Sequence, residues 1–210
     1  NRVTILCIPP SLLPSIQTAK NDLSCLDTVV ACAELCPVAI ARAWFSPTRR
    51  FLNAYGPTEI TVCATIYEFT GEGDSVPIGK ALPGVTTYVV DEDLNRLPPG
   101  QAGELCVGGE GVARGYMGKP ERTAMSYINS PWSSERLYRT GDLVVEHPET
   151  GQLEFLGRRD NQVKIRGLRV EIGAIEHALC QHPGVQLAAV AVFDLPTLNA
   201  ETSKTLVGYF

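Results

Sequence analysis

The run from Tyr138 to Glu176 constrains this chain more than any other stretch: YRTGDL, a spacer, then GRRDNQVKIRGLRVEIGAIE. Thr140-Gly141-Asp142 reads as a tight turn that presents one carboxylate. Arg158 and Arg159 precede Asp160 in a connector. From Gln162 the residues alternate, with Val163 and Ile165 on one face and Gln162, Lys164 and Arg166 on the other. Within Glu171 to Leu179, the apolar residues Ile172, Ile175, Ala178 and Leu179 recur at helical spacing. A carboxylate, an arginine-rich connector and a basic strand together fit a nucleotide site at a boundary between two moving parts. Hinges are usually a few residues at element ends, so the connector is a candidate pivot. An ordinary charged hairpin has the same spacing, and the residues alone do not choose.

Upstream the texture differs. NRVTILCIPPSLLPS reads as a strand entering a loop, without the basic leader and small-residue cleavage site of a signal peptide. Thr28 to Cys32 is predicted as a buried strand, followed by a helix opened by Pro37, whose missing N–H suits a first turn. Phe51 to Ala54 reads as a strand ending at the Gly56-Pro57 turn, and the β-branched stretch Ile60 to Tyr67 as another. From about Lys80 the chain turns to short strands, Thr86 to Val90 and Glu104 to Val107, joined by DEDLNRLPPGQAG, whose Pro98 and Pro99 cannot continue a ladder. A short helix starts at Lys119-Pro120-Glu121, and strands follow at Leu137 to Val145 and Leu153 to Leu156. This turn-rich β texture suits a small barrel or an open sheet. After Arg158 the order is strand, helix, strand (Val185 to Phe193) and strand (Thr205 to Phe210), an α+β piece.

The chain's 210 residues suffice for one ordinary domain or two small ones with a real core. A formal charge of −5 argues against a general nucleic-acid binder, which needs a basic surface to displace counterions. The longest apolar stretch, Leu187 to Phe193, is too short to span a bilayer, so no membrane partner is expected. Seven cysteines stand singly (Cys7, Cys25, Cys32, Cys36, Cys63, Cys106 and Cys180), with no CxxC pair and no histidine spacing for zinc. Most sit beside Val, Leu or Ala, where a thiol acts as a small buried hydrophobe. Free thiols in odd number fit a reducing compartment, and cytoplasm is the expectation.

Three further motifs carry chemistry. In NAYGPTE, Gly56-Pro57 fixes a loop from which Tyr55, Thr58 and Glu59 project. An aromatic, a hydroxyl and a carboxylate there can stack on a base, bond a phosphate and hold Mg²⁺, which takes one or two carboxylates with phosphate oxygens and water. A plain solvent loop fits the same residues. Asp142 can accept both hydroxyls of a vicinal diol, strengthened by its charge; it can equally satisfy backbone N–H groups of its own turn. Arg139 reads as a surface cation. GELCVGGEGVARGY holds GxG spacings without a strand-to-helix context, so its glycines are read as allowing turns and close strand approach, not as a dinucleotide fingerprint.

NAYGPTE, GELCVGGEGVARGY, YRTGDL and GRRDNQVKIRGLRVEIGAIE, in this order from about residue 53 to 176, closely resemble the core motifs of the adenylate-forming superfamily. The resemblance is greatest to the amino-acid-activating adenylation domains of nonribosomal peptide synthetases. It implies an α/β and α+β architecture: an αβ sheet layer over residues 1–79, a β-barrel-like part of the large core over 80–158, and a hinge with the first part of a mobile α+β subdomain over 159–210. It implies ATP and Mg²⁺ as cofactors, an amino acid as substrate, and transfer of the acyl group to the phosphopantetheine thiol of a carrier domain, with a condensation domain as neighbour. Residue by residue, it implies Asn53, Ala54, Tyr55, Gly56, Thr58, Asp142, Phe155 and Arg158 around ATP. Tyr55 would line the adenine site, Asp142 would clamp the ribose hydroxyls, and Phe155 stands where the family usually has Tyr. Thr58, Glu59 and Lys164 would be catalytic, with Glu59 on Mg²⁺. Asp160 would be the hinge and Gly167 the loop at the thiol tunnel. The amino-acid pocket would include Ser11, Val30, Cys32, Ala54, Val62 and Cys63, small or apolar residues that fit an uncharged side chain.

The family's TSGTTG-type phosphate loop does not occur in the 210 residues, nor does its NGKxDR-like lysine stretch. The chain is therefore expected to be part of a longer domain and inactive in adenylation by itself. A coenzyme A ligase or luciferase-like relative and a non-catalytic scaffold remnant are the alternative readings.

Overall fold

The computed structural model describes residues 3–18, 23–160, 162–165, 167–196 and 202–210. The chain divides into two compact units, Asn1–Arg159 and Asp160–Phe210.

The first unit starts as a sheet with helices on one face. In chain order come β1 (Ile5–Ile8), α1 (Leu13–Thr18), β2 (Thr28–Cys32), α2 (Val38–Trp44), β3 (Arg50–Tyr55), β4 (Thr65–Phe69) and the two-residue β5 (Lys80–Ala81). β1, β2 and β3 are parallel neighbours, and β4 and β5 add antiparallel. Side chains alternate across the sheet. Val29 and Ala31 of β2 and Phe51 of β3 therefore bury one face with Phe69, Leu13 and Trp44. Pro37 stands just outside α2 in an extended conformation, as its cap and not in its first turn.

The expected strand Ile60 to Tyr67 is largely a correction. Thr58–Ile60 is a 3-10 turn, Thr61 and Val62 take φ of 60° and 75°, and the strand begins only at Thr65. Left-handed backbone is a genuine outlier for β-branched residues. Tertiary bonds hold it: Thr61 Oγ1 donates to Gly111 O at 2.7 Å, and Ala64 N donates to Tyr55 O at 2.7 Å. Propensity for strand lost to packing here.

A second sheet follows: β6 (Val85–Val90), β7 (Ala102–Gly109), α3 (Pro120–Ser126), β8 (Tyr127–Asn129), β9 (Arg136–Glu146) and β10 (Leu153–Arg158). It is antiparallel in the order β10-β9-β7-β6, with β8 on β9. Its ladder is open, with β6 and β10 at the edges, in place of a closed barrel. The close-approach reading of the glycines holds at Gly109: its φ is 107°, and a Cβ there would lie 2.1 Å from Gly84 O. The sheets join where Ile78 N donates to Leu153 O at 2.8 Å. They also share one core, in which Tyr55, Ile60 and Ile78 pack with Leu105, Tyr138 and Val144. Lys80 and Ala81 still pair with β4, so the first sheet extends past residue 79.

Thr140-Gly141-Asp142 is not a turn. It lies inside β9 as a bulge: Arg139 pairs with Cys106 and Leu143 with Glu104, so Leu105 alone faces Thr140, Gly141 and Asp142. Cysteine burial is mixed. Cys36 and Cys106 are buried, Cys7 and Cys180 are exposed, and the other three are intermediate. Burial pushes the Cys36 and Cys106 thiols up to about 12.

The second unit holds a hairpin of β11 (Gln162–Ile165) and β12 (Leu168–Glu171), then α4 (Ile172–Cys180), then a hairpin of β13 (Ala189–Pro196) and β14 (Thr202–Tyr209). Glu176 accepts Val190 N at 2.9 Å, tying α4 to β13. All four residues of β11 are half-buried, so the expected alternation gives no sharply buried face, and Arg166 lies outside the described residues. β12 escapes the sequence pattern because Leu168 to Glu171 carries two charges. Among the described residues no helix is long and apolar enough to cross a membrane.

Candidate functional site

Asp142 is the centre of the site. It is 3% exposed, yet its two oxygens are both engaged. Arg158 Nη1 donates to Oδ1 at 2.5 Å, and the Tyr55 hydroxyl donates to Oδ2. The partners come from β10 and β3, so residues 16 and 87 positions away in sequence meet one carboxylate. The register explains this: Arg158 is the direct cross-strand partner of Asp142, and Tyr55 ends β3 where the two sheets share their core. The bulge is held from within, because Asp142 N donates to Thr140 Oγ1 at 3.0 Å and that hydroxyl donates to Leu105 O at 2.7 Å. Arg158 Nη1 also donates to Thr140 O at 3.1 Å. Burial drives the Tyr55 phenol well above its ordinary range, and the Asp142 charge and hydrogen bond raise it further.

Glu59 forms a second buried carboxylate in the same unit, at 9% exposure in the 3-10 turn after Pro57. The Tyr116 hydroxyl donates to its Oε1 at 2.8 Å and lies 3.5 Å from the Tyr138 hydroxyl. Tyr127 packs edge-on against Tyr116 and tilted against Tyr138, with ring centroids 5.6 and 5.0 Å apart. Burial raises the Tyr127 phenol, with Tyr116 and Glu59 adding to it. Thr58 is exposed at the start of the turn. Gly56 is required by close approach: a Cβ there would stand 2.5 Å from Val62 O and 2.9 Å from Ala64 N. Asn53 is buried, and its amide donates to Pro77 O at 2.7 Å. Phe155 packs against the core that contains Tyr55.

The expected pocket residues fall in two groups. Cys7 pairs with Val30, and Cys32 with Ala54, so these four share one face of the first sheet. Cys7 and Cys32 sulfurs lie 3.6 Å apart. Burial pushes the Cys63 thiol up, with a smaller push from Cys7. Val62 is 76% exposed. Ser11 sits in the turn Pro10–Leu12, its N–H donating to Glu34 Oε2 at 3.3 Å. In the second unit Asp160 accepts Gln162 N at 3.1 Å, Lys164 faces Arg169 across the hairpin, and Gly167 occupies the turn with φ of 78°.

Sequence reasoning misses Cys7, Tyr116 and Glu104. Glu104 is 4% exposed on β7 and accepts Arg139 Nη2 at 2.6 Å, Arg159 Nη1 at 3.2 Å and Gly141 N at 3.2 Å. Arg139 is thus an ion-pair partner of a buried carboxylate, not a plain surface cation, and that hydrogen bond raises its affinity for the proton. A signal for Glu104 does exist in the sequence: a lone charge beside the apolar run LCV has to be paired once the strand is buried.

The chain is similar to known proteins throughout. The family model described as AMP-binding enzyme matches residues 1–117. Bacitracin synthase 3 of Bacillus licheniformis is 46% identical over 191 residues, which is 90% of this chain and 3% of that synthase. Among solved structures, PA1221, an NRPS protein containing adenylation and PCP domains, superposes with a TM-score of 0.86 at 31% identity, over 98% of this chain and 42% of that one. The Vibrio cholerae adenylation domain AlmE, solved with glycyl-adenosine-5'-phosphate, gives a TM-score of 0.83 at 28% identity, over 99% and 40%. The chain therefore spans less than half the length of each of these relatives.

Proposed function

Since this chain belongs to the AMP-binding enzyme family, we propose that it is part of an amino-acid-activating adenylation domain of a nonribosomal peptide synthetase. The observation that carries the reading is the meeting of NAYGPTE, YRTGDL and GRRD on one carboxylate, Asp142, through Tyr55 and Arg158. Arg158 and Tyr55 each donate to one oxygen of Asp142, and a carboxylate has about four lone-pair sites, so a ribose diol can be accepted beside the two existing donors. The ring of Phe155 and the Tyr55 segment would line the adenine side.

Glu59 fits Mg²⁺ as a hard oxygen donor. Mg²⁺ takes one or two carboxylates and completes its shell with phosphate oxygens and water. Bound there, Mg²⁺ would neutralise phosphate charge. Tyr116 holds Glu59 in place, and Thr58 offers its hydroxyl to a phosphate oxygen.

In the proposed reaction a carboxylate oxygen of the amino acid attacks the α-phosphorus of ATP, and the bond to pyrophosphate breaks. The thiol of a carrier's phosphopantetheine then attacks the acyl carbon, and AMP leaves. Val30, Cys32, Ala54, Val62 and Cys63, with Ser11, would contact an uncharged amino-acid side chain. Asp160 would serve as the hinge for the unit carrying Lys164 and Gly167. The neighbours would be a carrier domain and a condensation domain.

The test is amino-acid-dependent exchange of labelled pyrophosphate into ATP, run over a panel of amino acids with the complete domain of the parent polypeptide. Exchange is expected with one or a few uncharged amino acids. No exchange with any would favour the scaffold reading. The 210-residue chain alone is expected to give none.

A further inference from the structure

We propose that Glu104 is a positioning residue for the Asp142–Arg158 pair; the proposal rests on the reading of Asp142 as the ribose acceptor. Glu104 touches neither residue directly. It holds the neighbour of each. Its Oε1 accepts the N–H of Gly141, which immediately precedes Asp142. Its Oε2 accepts Arg159, which immediately follows Arg158, and also Arg139 on the far side of the bulge. Arg159 is fixed twice more, by its backbone N–H to Gly141 O at 2.9 Å and by Nη2 to Glu92 Oε1 at 3.1 Å. One carboxylate thus clamps the bulge of β9 to the end of β10.

The bulge creates the need. With Leu105 alone facing Thr140, Gly141 and Asp142, the regular ladder is interrupted. Leu105 O takes the Thr140 hydroxyl, and the Gly141 N–H finds its acceptor in the Glu104 side chain. Stability alone does not account for a charge here. Buried ion pairs are often matched or bettered by apolar residues of similar size, and Leu105, Cys106 and Val107 beside it show the strand is otherwise apolar and buried. A site built for a diol needs its acceptor within a fraction of an ångström, and small misplacements from outside the chemistry are costly in rate.

The experiment compares ATP with 2′,3′-dideoxy-ATP in pyrophosphate exchange by the complete domain, for wild type, Glu104→Gln and Asp142→Asn. Wild type is expected to prefer ATP strongly, and Asp142→Asn to lose that preference. Glu104→Gln is expected to lower the preference about tenfold by raising KM for ATP, with KM for the amino acid unchanged. An unchanged nucleotide preference in Glu104→Gln, alongside a discriminating wild type, overturns the positioning role and leaves the ribose reading standing. Absence of any preference in wild type removes the ribose reading and this proposal with it. Should Glu104→Gln not fold, Arg159→Gln removes one of the three contacts from a partly exposed side chain. It is expected to lower the preference about threefold, and no change overturns the proposal.

Discussion

Asp142 and Glu59 are both buried carboxylates on the first unit, but they are held in different ways. Asp142 lies within a sheet and is gripped by a cation, Arg158, and a phenol, Tyr55. Glu59 lies in a 3-10 turn next to left-handed backbone, and its Oε1 is oriented by the Tyr116 phenol. A guanidinium cancels most of a carboxylate's charge but leaves lone pairs, which suits neutral hydroxyl partners. A phenol orients a carboxylate without cancelling its charge, which suits a cation. On the proposed reading, Asp142 faces the neutral hydroxyls of a ribose and Glu59 faces a cation.

The largest effect is expected at Asp142. In Asp142→Ala the half-buried Arg158 guanidinium loses this carboxylate and the Tyr55 phenol loses its acceptor, two hydrogen bonds to a charged group worth together about 3–5 kcal/mol. Exchange should fall by the same factor for every amino acid tested in the complete domain. A shift in amino-acid preference would remove Asp142 from the ribose role and dissolve the comparison. Next comes Glu59→Gln, which keeps the shape and deletes the charge. The Mg²⁺ concentration for half-maximal exchange should rise about tenfold or more, with KM for the amino acid little changed. An unaltered Mg²⁺ titration would sink the idea that Glu59 is the cation-facing member.

Tyr55→Phe tests the grip on Asp142 more gently. A hydrogen bond to a charged group is worth about 1.5–3 kcal/mol, and urea unfolding of the complete domain near neutral pH should register that loss. The pH dependence gives a sharper check. The folded pKa of Tyr55 is raised above the ordinary 10.0. Its contribution is therefore fully present below about pH 10 and lost as pH climbs through the raised value. Tyr55→Phe should be less sensitive than wild type on that alkaline side. Equal alkaline sensitivity would show that the phenol is not held as described.

Local pattern makes much of this legible. β2 is bounded as expected because five apolar or β-branched residues stand between turn signals. Tyr55, Asp142 and Arg158 stand out within their motifs, and they meet in space. What stays hidden is set by contacts distant in sequence. The bulge at Gly141 reads as a turn because Thr-Gly-Asp has turn chemistry, and only its pairing with β7 shows the strand running on. Glu104 and Tyr116 acquire meaning from partners 35 to 57 residues away. The strand expected at Ile60 to Tyr67 fails before Thr65 for the same reason, since Gly111 and Tyr55 bend those residues out of extended backbone.

The smallest expected effect concerns that bend. Val62 takes φ of 75° while 76% exposed, so its side chain gains little burial to offset the strained backbone. Left-handed conformation costs an L-residue about 1–2 kcal/mol, and glycine relieves it at an entropic cost of about 0.5–1 kcal/mol. Val62→Gly should therefore stabilise the complete domain by up to about 1.5 kcal/mol, the difference of those two ranges. If Val62 also borders the amino-acid pocket, the variant should accept a wider set of amino acids while its KM for ATP stays put. Stabilisation with unchanged selectivity would make the strained turn a support for Glu59 alone. A clear loss of stability would mean that Val62 makes contacts worth more than its strain, and the contrast between a relaxed sheet site and a strained loop site would no longer hold.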